Sequence, residues 1–304
     1  MAYSAKIVTD SVSEVGDRLT TMEVTFPRMV LAEFNTHRVF SRNSASSRAI
    51  PVAKQLQRIM DDPFIPVWWG KQQPGMQADV ELTGKEREEA EIEWLVARDN
   101  AVAHAQRLME LGLHKQISSR LLEPWMWQTV IVTATEWSNF FALRANPMAQ
   151  PETRVIAEMM RGLYDESEPA LVKGGEWHLP LIQPEERDGV FEFSEEARKI
   201  SAARCARVSY LTHDGKRDLE ADLKLYERLA GAGHMSPFEH VATPFEQPYI
   251  YRRENVMAEY GDGYMESSEQ VKYLLAHDSG NFRGWKQLRK FLPNEDDFSK
   301  VNSG

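Results

Sequence analysis

Residues 36 to 48 read Thr-His-Arg-Val-Phe-Ser-Arg-Asn-Ser-Ala-Ser-Ser-Arg and place three arginines, one histidine and five hydroxyl side chains in one short stretch. Arg38, Arg42 and Arg48 can each present a planar fork of donors to a phosphate or to the edge of a heterocycle. His37 and the serines add shorter hydrogen bonds, so the chemistry suits a phosphate-bearing ligand. A solvated turn rich in Ser and Arg would have the same composition, and what separates the two is position. The apolar run Met22 to Leu31 reads as a strand that delivers the cluster to the end of a core element, where a scaffold can hold it.

The elements around this cluster belong to an ordinary globular chain. At 304 residues, 42% hydrophobic and 27% charged, it can bury a full core. A net charge of −10 repels a nucleic-acid backbone, so the expected ligand is a small nucleotide in a locally basic pocket and not a polymer. No apolar run approaches the roughly 18 residues that span a bilayer, and the N-terminal residues lack a secretory core. Membrane partners are therefore not expected, and the expected location is the cytoplasm. The single cysteine, Cys205, rules out an intrachain disulfide framework and a multi-cysteine metal site. Its small-residue surroundings suggest a packed thiol more than a nucleophile.

Strand-like and helical pieces alternate. Helices are expected over Pro51–Asp61, Gly84–Gly112, Glu136–Arg144, Glu152–Tyr164 and Asp218–Ala230. Gln128–Thr135 is dense in β-branched residues and short enough for a buried strand, and His240–Tyr251 resembles a strand interrupted by Pro244 and Pro248. Gly231-Ala232-Gly233 follows a helix and not a strand, which makes it a C-cap and not a dinucleotide fingerprint. No Walker-type phosphate loop occurs, and His234 and His240 lack the spacing of a zinc protease, so no metal site is expected.

The cluster at 36 to 48 resembles the signature of the flavin-dependent thymidylate synthases, with His37, Arg38, Ser41, Asn43, Ser46 and Arg48 in register. Two further blocks resemble the same family: Ser119 through Ala145, and Ala203 through His240, the latter with Gly233-His234-Met235-Ser236-Pro237-Phe238-Glu239-His240. In the usual family order the last block comes first, so this chain looks circularly permuted. A fold tolerates this because termini are often close together at the surface. Matching blocks cover about 20–50, 114–164 and 201–245.

The resemblance implies an α/β (α+β) fold with a mixed sheet and flanking helices, in a single catalytic domain over 1–304 with permuted block order. Within it, 62–112 is expected as a helical insertion, 185–197 as an acidic linker and 252–304 as a C-terminal extension. It also implies a homotetramer with shared active sites that binds FAD and methylates dUMP to dTMP with 5,10-methylenetetrahydrofolate and NADPH. Carried over by position, His37, Arg38, Asn139, His234 and Ser236 would contact FAD. Glu33, Ser44, Ser46, Arg48, Arg120 and Arg144 would line the nucleotide site, with Arg48 and Arg120 as phosphate partners. Arg144 would act as the catalytic residue facing the pyrimidine. A guanidinium keeps its proton and stabilises negative charge on the N3/O2 side of the ring, which makes C5 more nucleophilic and removes the need for an enzyme thiol. Each residue also has a plainer role open to it. Arg144 could be a helix C-terminal cation, Arg120 a surface charge, His234 a partner for helix-end carbonyls, and Asn139 and Ser236 capping or turn residues. Trp125 and Trp127 read as packing groups.

Departures from the family pattern are Thr36 for Arg, Ser44 for Glu, Ala49 for Tyr and Glu33 for Gln. Glu33 could accept a hydrogen bond from an amino group, which leaves dCMP open beside dUMP. A hydroxymethyl product, or a protein that binds nucleotide without chemistry, are the alternatives. Thr25-Phe26-Pro27 and Thr243-Pro244-Phe245 both resemble one family strand.

Overall fold

The computed structural model describes residues 2–46, 50–187, 189, 191–208, 218–245, 280–293 and 295. A five-stranded sheet lies at the centre, built from β1 (Ser4–Ser13), β2 (Arg18–Pro27), β3 (Ser41–Ser44), β4 (Trp127–Ala134) and β5 (Ala170–Val172). The strand order is β3-β4-β2-β1-β5, with the β1–β5 pair parallel and the other pairs antiparallel. The expected mixed sheet with flanking helices is therefore present. A smaller sheet pairs β6 (Ala242–Pro244) with β7 (Trp285–Gln287). The two look-alike segments separate here: Thr25-Phe26-Pro27 closes the central strand β2, and Thr243-Pro244 belongs to the small sheet.

β2 is buried along nearly its whole length because both of its faces are covered. Its even-numbered residues Met22, Val24 and Phe26 join Val130, Val132 and Ala134 of β4 in the largest core. Against them pack α1 (Leu31–Asn35), α5 (Ser138–Arg144) and α6 (Pro151–Glu166), which supply Phe34, Phe140, Phe141, Ile156 and Met160. The odd-numbered residues face the other way and are largely hydroxylic: Thr21, Thr25, Thr129 and Thr133. Over this second face lie His178, His240 and α7 (Glu195–Ala206), whose Cys205 meets Ile131. α7 in turn packs on α8 (Leu219–Gly231) and the 3-10 turn Ser236–Glu239. A third core joins α2 (Val52–Asp61), α3 (Gly84–Glu110) and the 3-10 segment Ser119–Trp125, which follows the one-turn α4 (Lys115–Ser118).

Local chemistry explains the boundaries. Asp218 caps α8 by accepting from Ala221 N–H at 3.0 Å, and Ser194 caps α7 by accepting from Ala197 N–H at 3.1 Å. At the end of α8, Gly233 takes φ +72°, its N–H donates to Ala230 O, and His234 N–H donates to Leu229 O. That double bond pattern is a Schellman cap, as the Gly-x-Gly spacing predicts.

The expected strand Met22–Leu31 begins earlier, at Arg18, and stops at Pro27. Arg28 N–H donates to Met126 O at 2.8 Å and its guanidinium pairs with Glu123 at 2.9 Å, which turns the chain into a 3-10 helix over Arg28–Val30. The expected strand His240–Tyr251 is a strand only over Ala242–Pro244, and residues 246–251 lie outside the described set. Glu136 and Trp137 precede α5 and are not part of it. In the segment 185–197, Glu186 accepts two bonds from the buried Arg204 at 2.6 and 2.7 Å, and Asp222 accepts a third at 3.0 Å. That arginine ties the segment to α7 and α8. No helix among the described residues is long and apolar enough to cross a membrane.

Candidate functional site

The loop after α1 is held by the aromatic core beneath it. Phe34 and Phe40 flank the loop in sequence, and both rings pack on Phe140 of α5 at 5.7 and 5.2 Å. His37 stands edge-on to the same ring at 4.9 Å. Arg42 reaches back from β3, and its Nη1 donates to the carbonyls of Asn35 at 2.9 Å, His37 at 3.2 Å and Phe34 at 3.4 Å. The loop carbonyls are therefore gathered around one guanidinium, which fixes the turn that presents His37 and Arg38.

Arg144 is the last residue of α5, and its Nε donates to His37 Nε2 at 3.0 Å while Nη2 lies 3.5 Å from Thr36 Oγ1. Burial lowers the pKa of His37, and the neighbouring charges of Arg144 and Arg42 lower it further. A neutral imidazole that accepts from arginine is the state consistent with this geometry. Two residues 107 positions apart in the chain thus share a hydrogen bond at the mouth of the loop.

On the other side of β3, the amide of Asn43 sits 3.2 Å from His240 Nε2 and 3.3 Å from Ser236 Oγ. The segment 280–289 closes the same region. Gln287 Nε2 donates to Asn281 Oδ1 at 2.7 Å and to Ser41 Oγ at 3.2 Å, and Asn281 Nδ2 donates to Val39 O at 2.8 Å. Arg289 pairs with Glu239 at 2.5 Å.

The chain matches the family model described as thymidylate synthase complementing protein over residues 13–170. It belongs to the thymidylate synthase complementing protein family. Membership places it among enzymes that modify pyrimidine nucleotides. Two solved structures of the UMP/dUMP methylase PolB from Streptomyces cacaoi, bound with 5-Br dUMP and with 5-Br UMP, are similar to this chain at 15% and 17% identity. Each has a TM-score of 0.44 and covers 54% of this chain, and 90% and 89% of their own chains are matched. No curated protein matches.

Within this family member the structure brings some of the expected site residues together and leaves others apart. His37 and Arg144 touch directly, and Asn43 brings Ser236 beside β3. Arg38, Asn139, His234 and Ser236 are exposed, Ser44 is exposed at the end of β3, and Ser46 is half-buried just beyond it. Arg120 stands apart. It pairs with Glu123 at 2.5 Å, Glu123 also pairs with Arg28, and Arg28 bonds Gln128, whose Nε2 donates to Ala45 O at 2.8 Å. A relay of two ion pairs and two hydrogen bonds, and not a direct contact, thus connects Arg120 to the end of the motif. Arg48 lies outside the described residues. Glu33 is half-buried, with Oε2 enclosed and without a partner among the described residues.

The sequence reading missed Arg42 as the residue that gathers the loop carbonyls, and it missed Gln287, Asn281, Gln128 and the buried pair His178 and His240. Arg42 carried a usable signal, since an arginine five residues after His37 can reach back over a turn. Gln287 and His178 carried none, because their partners come from distant strands. Cys205 is buried and burial pushes its thiol pKa well up, so it does not form a thiolate near neutrality. Trp125 and Trp127 pack, their indole N–H groups donating to Trp94 O and Asp62 O.

Proposed function

We propose that the chain catalyses flavin-dependent reductive methylation of dUMP to dTMP, with 5,10-methylenetetrahydrofolate as the carbon donor and NADPH as the reductant. The observation that carries this reading is the 3.0 Å bond between Arg144 and His37, residues of two separate blocks of the resemblance. Nε and Nη2 of Arg144 are engaged with the loop, and we assign Nη1 to the pyrimidine. There a permanent cation would stabilise charge developing on the ring. Ser44, Ser46, Arg48 and Arg120 are assigned to the nucleotide, with the two arginines at its phosphate.

FAD, once bound and reduced by NADPH, would supply the hydride. The exposed donors Arg38, Asn139, His234 and Ser236 fit such a group, since a guanidinium, an amide, an imidazole and a hydroxyl can serve a pyrophosphate and a heterocycle edge. The protein's own contribution is orientation and electrostatics. We further read the block order as a circular permutation of the family chain, which places Ser236 beside Asn43 although 193 positions separate them, and we expect a homotetramer with shared sites.

An absorbance spectrum of the purified protein tests the cofactor. A yellow protein bleached by NADPH and reoxidised by dUMP with folate supports the reading, and a colourless protein that refuses FAD overturns it. Arg144→Lys should lower kcat by about 10²-fold or more, by analogy with loss of a positioned electrostatic donor.

Glu33 Oε2, enclosed and without a partner among the described residues, favours a second reading in which the base carries an amino group, as in dCMP. Product masses from dUMP and dCMP separate the two substrates, and they separate a methyl from a hydroxymethyl product by one oxygen.

A further inference from the structure

The second face of the sheet contains an unbroken line of side-chain hydrogen bonds. Ser11 Oγ lies 2.8 Å from His178 Nδ1, His178 Nε2 lies 2.7 Å from Thr21 Oγ1, and Thr21 Oγ1 lies 2.7 Å from Thr133 Oγ1. Thr133 Oγ1 lies 2.8 Å from His240 Nδ1, and His240 Nε2 lies 3.2 Å from the Asn43 amide. Every member except Asn43 is buried, and both histidines are wholly enclosed. The line runs from β1 across β2 and β4 to β3, and it ends beside Ser236.

Such a line has a sense. A neutral imidazole carries one ring N–H and one ring acceptor, and the hydroxyls of Thr21 and Thr133 each give their one proton within the line, so a donor fixed at one end sets every bond to the other end. Both histidines are neutral near pH 7, since burial holds their pKa at about 3. The Asn43 end is fixed by its surroundings. The amide atom turned to His240 also faces Arg42 O at 3.0 Å and Ser236 O at 3.3 Å. Carbonyl oxygens only accept, so that atom is the amino nitrogen Nδ2.

From this geometry we infer that Asn43 donates to His240 Nε2 and thereby sets one direction along the line, holding both His240 and His178 in the Nδ1–H tautomer. His240 Nδ1–H then donates to Thr133, Thr133 to Thr21, Thr21 to His178 Nε2, and His178 Nδ1–H to Ser11. Each buried polar atom of the line has a partner in this sense. The two histidines are positioning residues: His240 holds the Asn43 amide, His178 acts on it through Thr21 and Thr133, and Asn43 in turn holds the Ser236 turn against β3. Their bearing on catalysis rests on the proposed site, but the tautomers do not.

Nitrogen NMR of the full chain with 15N-labelled histidine tests the inference without flavin or substrate, so the result stands apart from the outcome of the spectral test above. In the wild type, both residues should show a protonated Nδ1 and an unprotonated Nε2. Asn43→Asp replaces the donor with an acceptor and should exchange the two resonance types on both histidines, including His178, which Asn43 does not touch. Adding Thr133→Val to Asn43→Asp should leave His240 switched and return His178 to independence from residue 43. An Nε2–H tautomer at either histidine in the wild type overturns the proposal. So does a His178 that ignores Asn43→Asp when Thr133 is intact. If the Asp variant fails to fold, the wild-type spectrum decides by itself.

Discussion

The two faces of the central sheet are built on opposite principles. Met22, Val24 and Phe26 of β2 and Val130, Val132 and Ala134 of β4 enter a core of Phe34, Phe40, Trp137, Phe140 and Phe141 with almost no polar atoms. Odd-numbered residues enter an interior equally closed to water but lined by hydroxyls and two imidazoles. A dry interior draws its stability from volume and contact, which are additive and tolerant of rearrangement. A closed polar interior depends on every donor finding its acceptor, because one orphaned group costs about as much as several good bonds return. The proposed site takes one part from each face. Arg144 comes from the helix over the dry face, Ser236 from the turn over the polar face, and β3 joins them.

Acid should expose the contrast most strongly. Both buried histidines titrate near 6.5 when unfolded and at about 3 when folded, so between these values the unfolded chain binds more protons. Their contribution is complete above pH 6.5 and is lost as pH falls, by up to about 1.4 kcal/mol per pH unit for each histidine. Denaturant melts at pH 7, 6 and 5 should show the decline above the carboxylate range, and a flat profile there would remove the polar face's distinction.

Next in size is the dry face itself. Phe140→Ala should cost about 3–5 kcal/mol in urea unfolding, because the ring touches Phe34, Phe40 and His37 and leaves a cavity none of them can fill. Met22→Leu in the same core should cost less than about 1.5 kcal/mol.

Thr133→Val keeps the shape of its side chain but leaves Thr21 and His240 each short of a partner. We expect a loss of about 1–3 kcal/mol, with Thr133→Ser closer to wild type. Equal stabilities for the Val and Ser variants would mean that the hydroxyl does not matter. The smallest effect should come from Thr25→Val combined with Thr129→Val. These hydroxyls bond each other at 2.9 Å, so removing both orphans neither, and the double variant should be more stable than either single one.

Much of this was legible in the residues. The Gly231-Ala232-Gly233 cap, the proline-led α2 and the β-branched strand at Gln128 to Thr135 are set within a few residues of chain, where sequence speaks directly. The first strand, Ser4–Ser13, was not identified, because its partly polar residues gain their strand character from pairing with β2 on one side and β5 on the other. The end of β2 at Pro27 was misplaced for a similar reason: the turn depends on Met126 and Glu123, about a hundred positions away.

By itself the sequence determined which segments could be helix or strand and which side chains could meet a phosphate or a pyrimidine, since propensity, capping and donor geometry are local properties. Only the tertiary structure decided that Arg144 reaches His37, that Arg28 reaches Glu123 and Met126, and that His178 and His240 stand neutral in one closed line. Those outcomes depend on burial and on which distant strands come into register, and neither quantity is written in neighbouring residues.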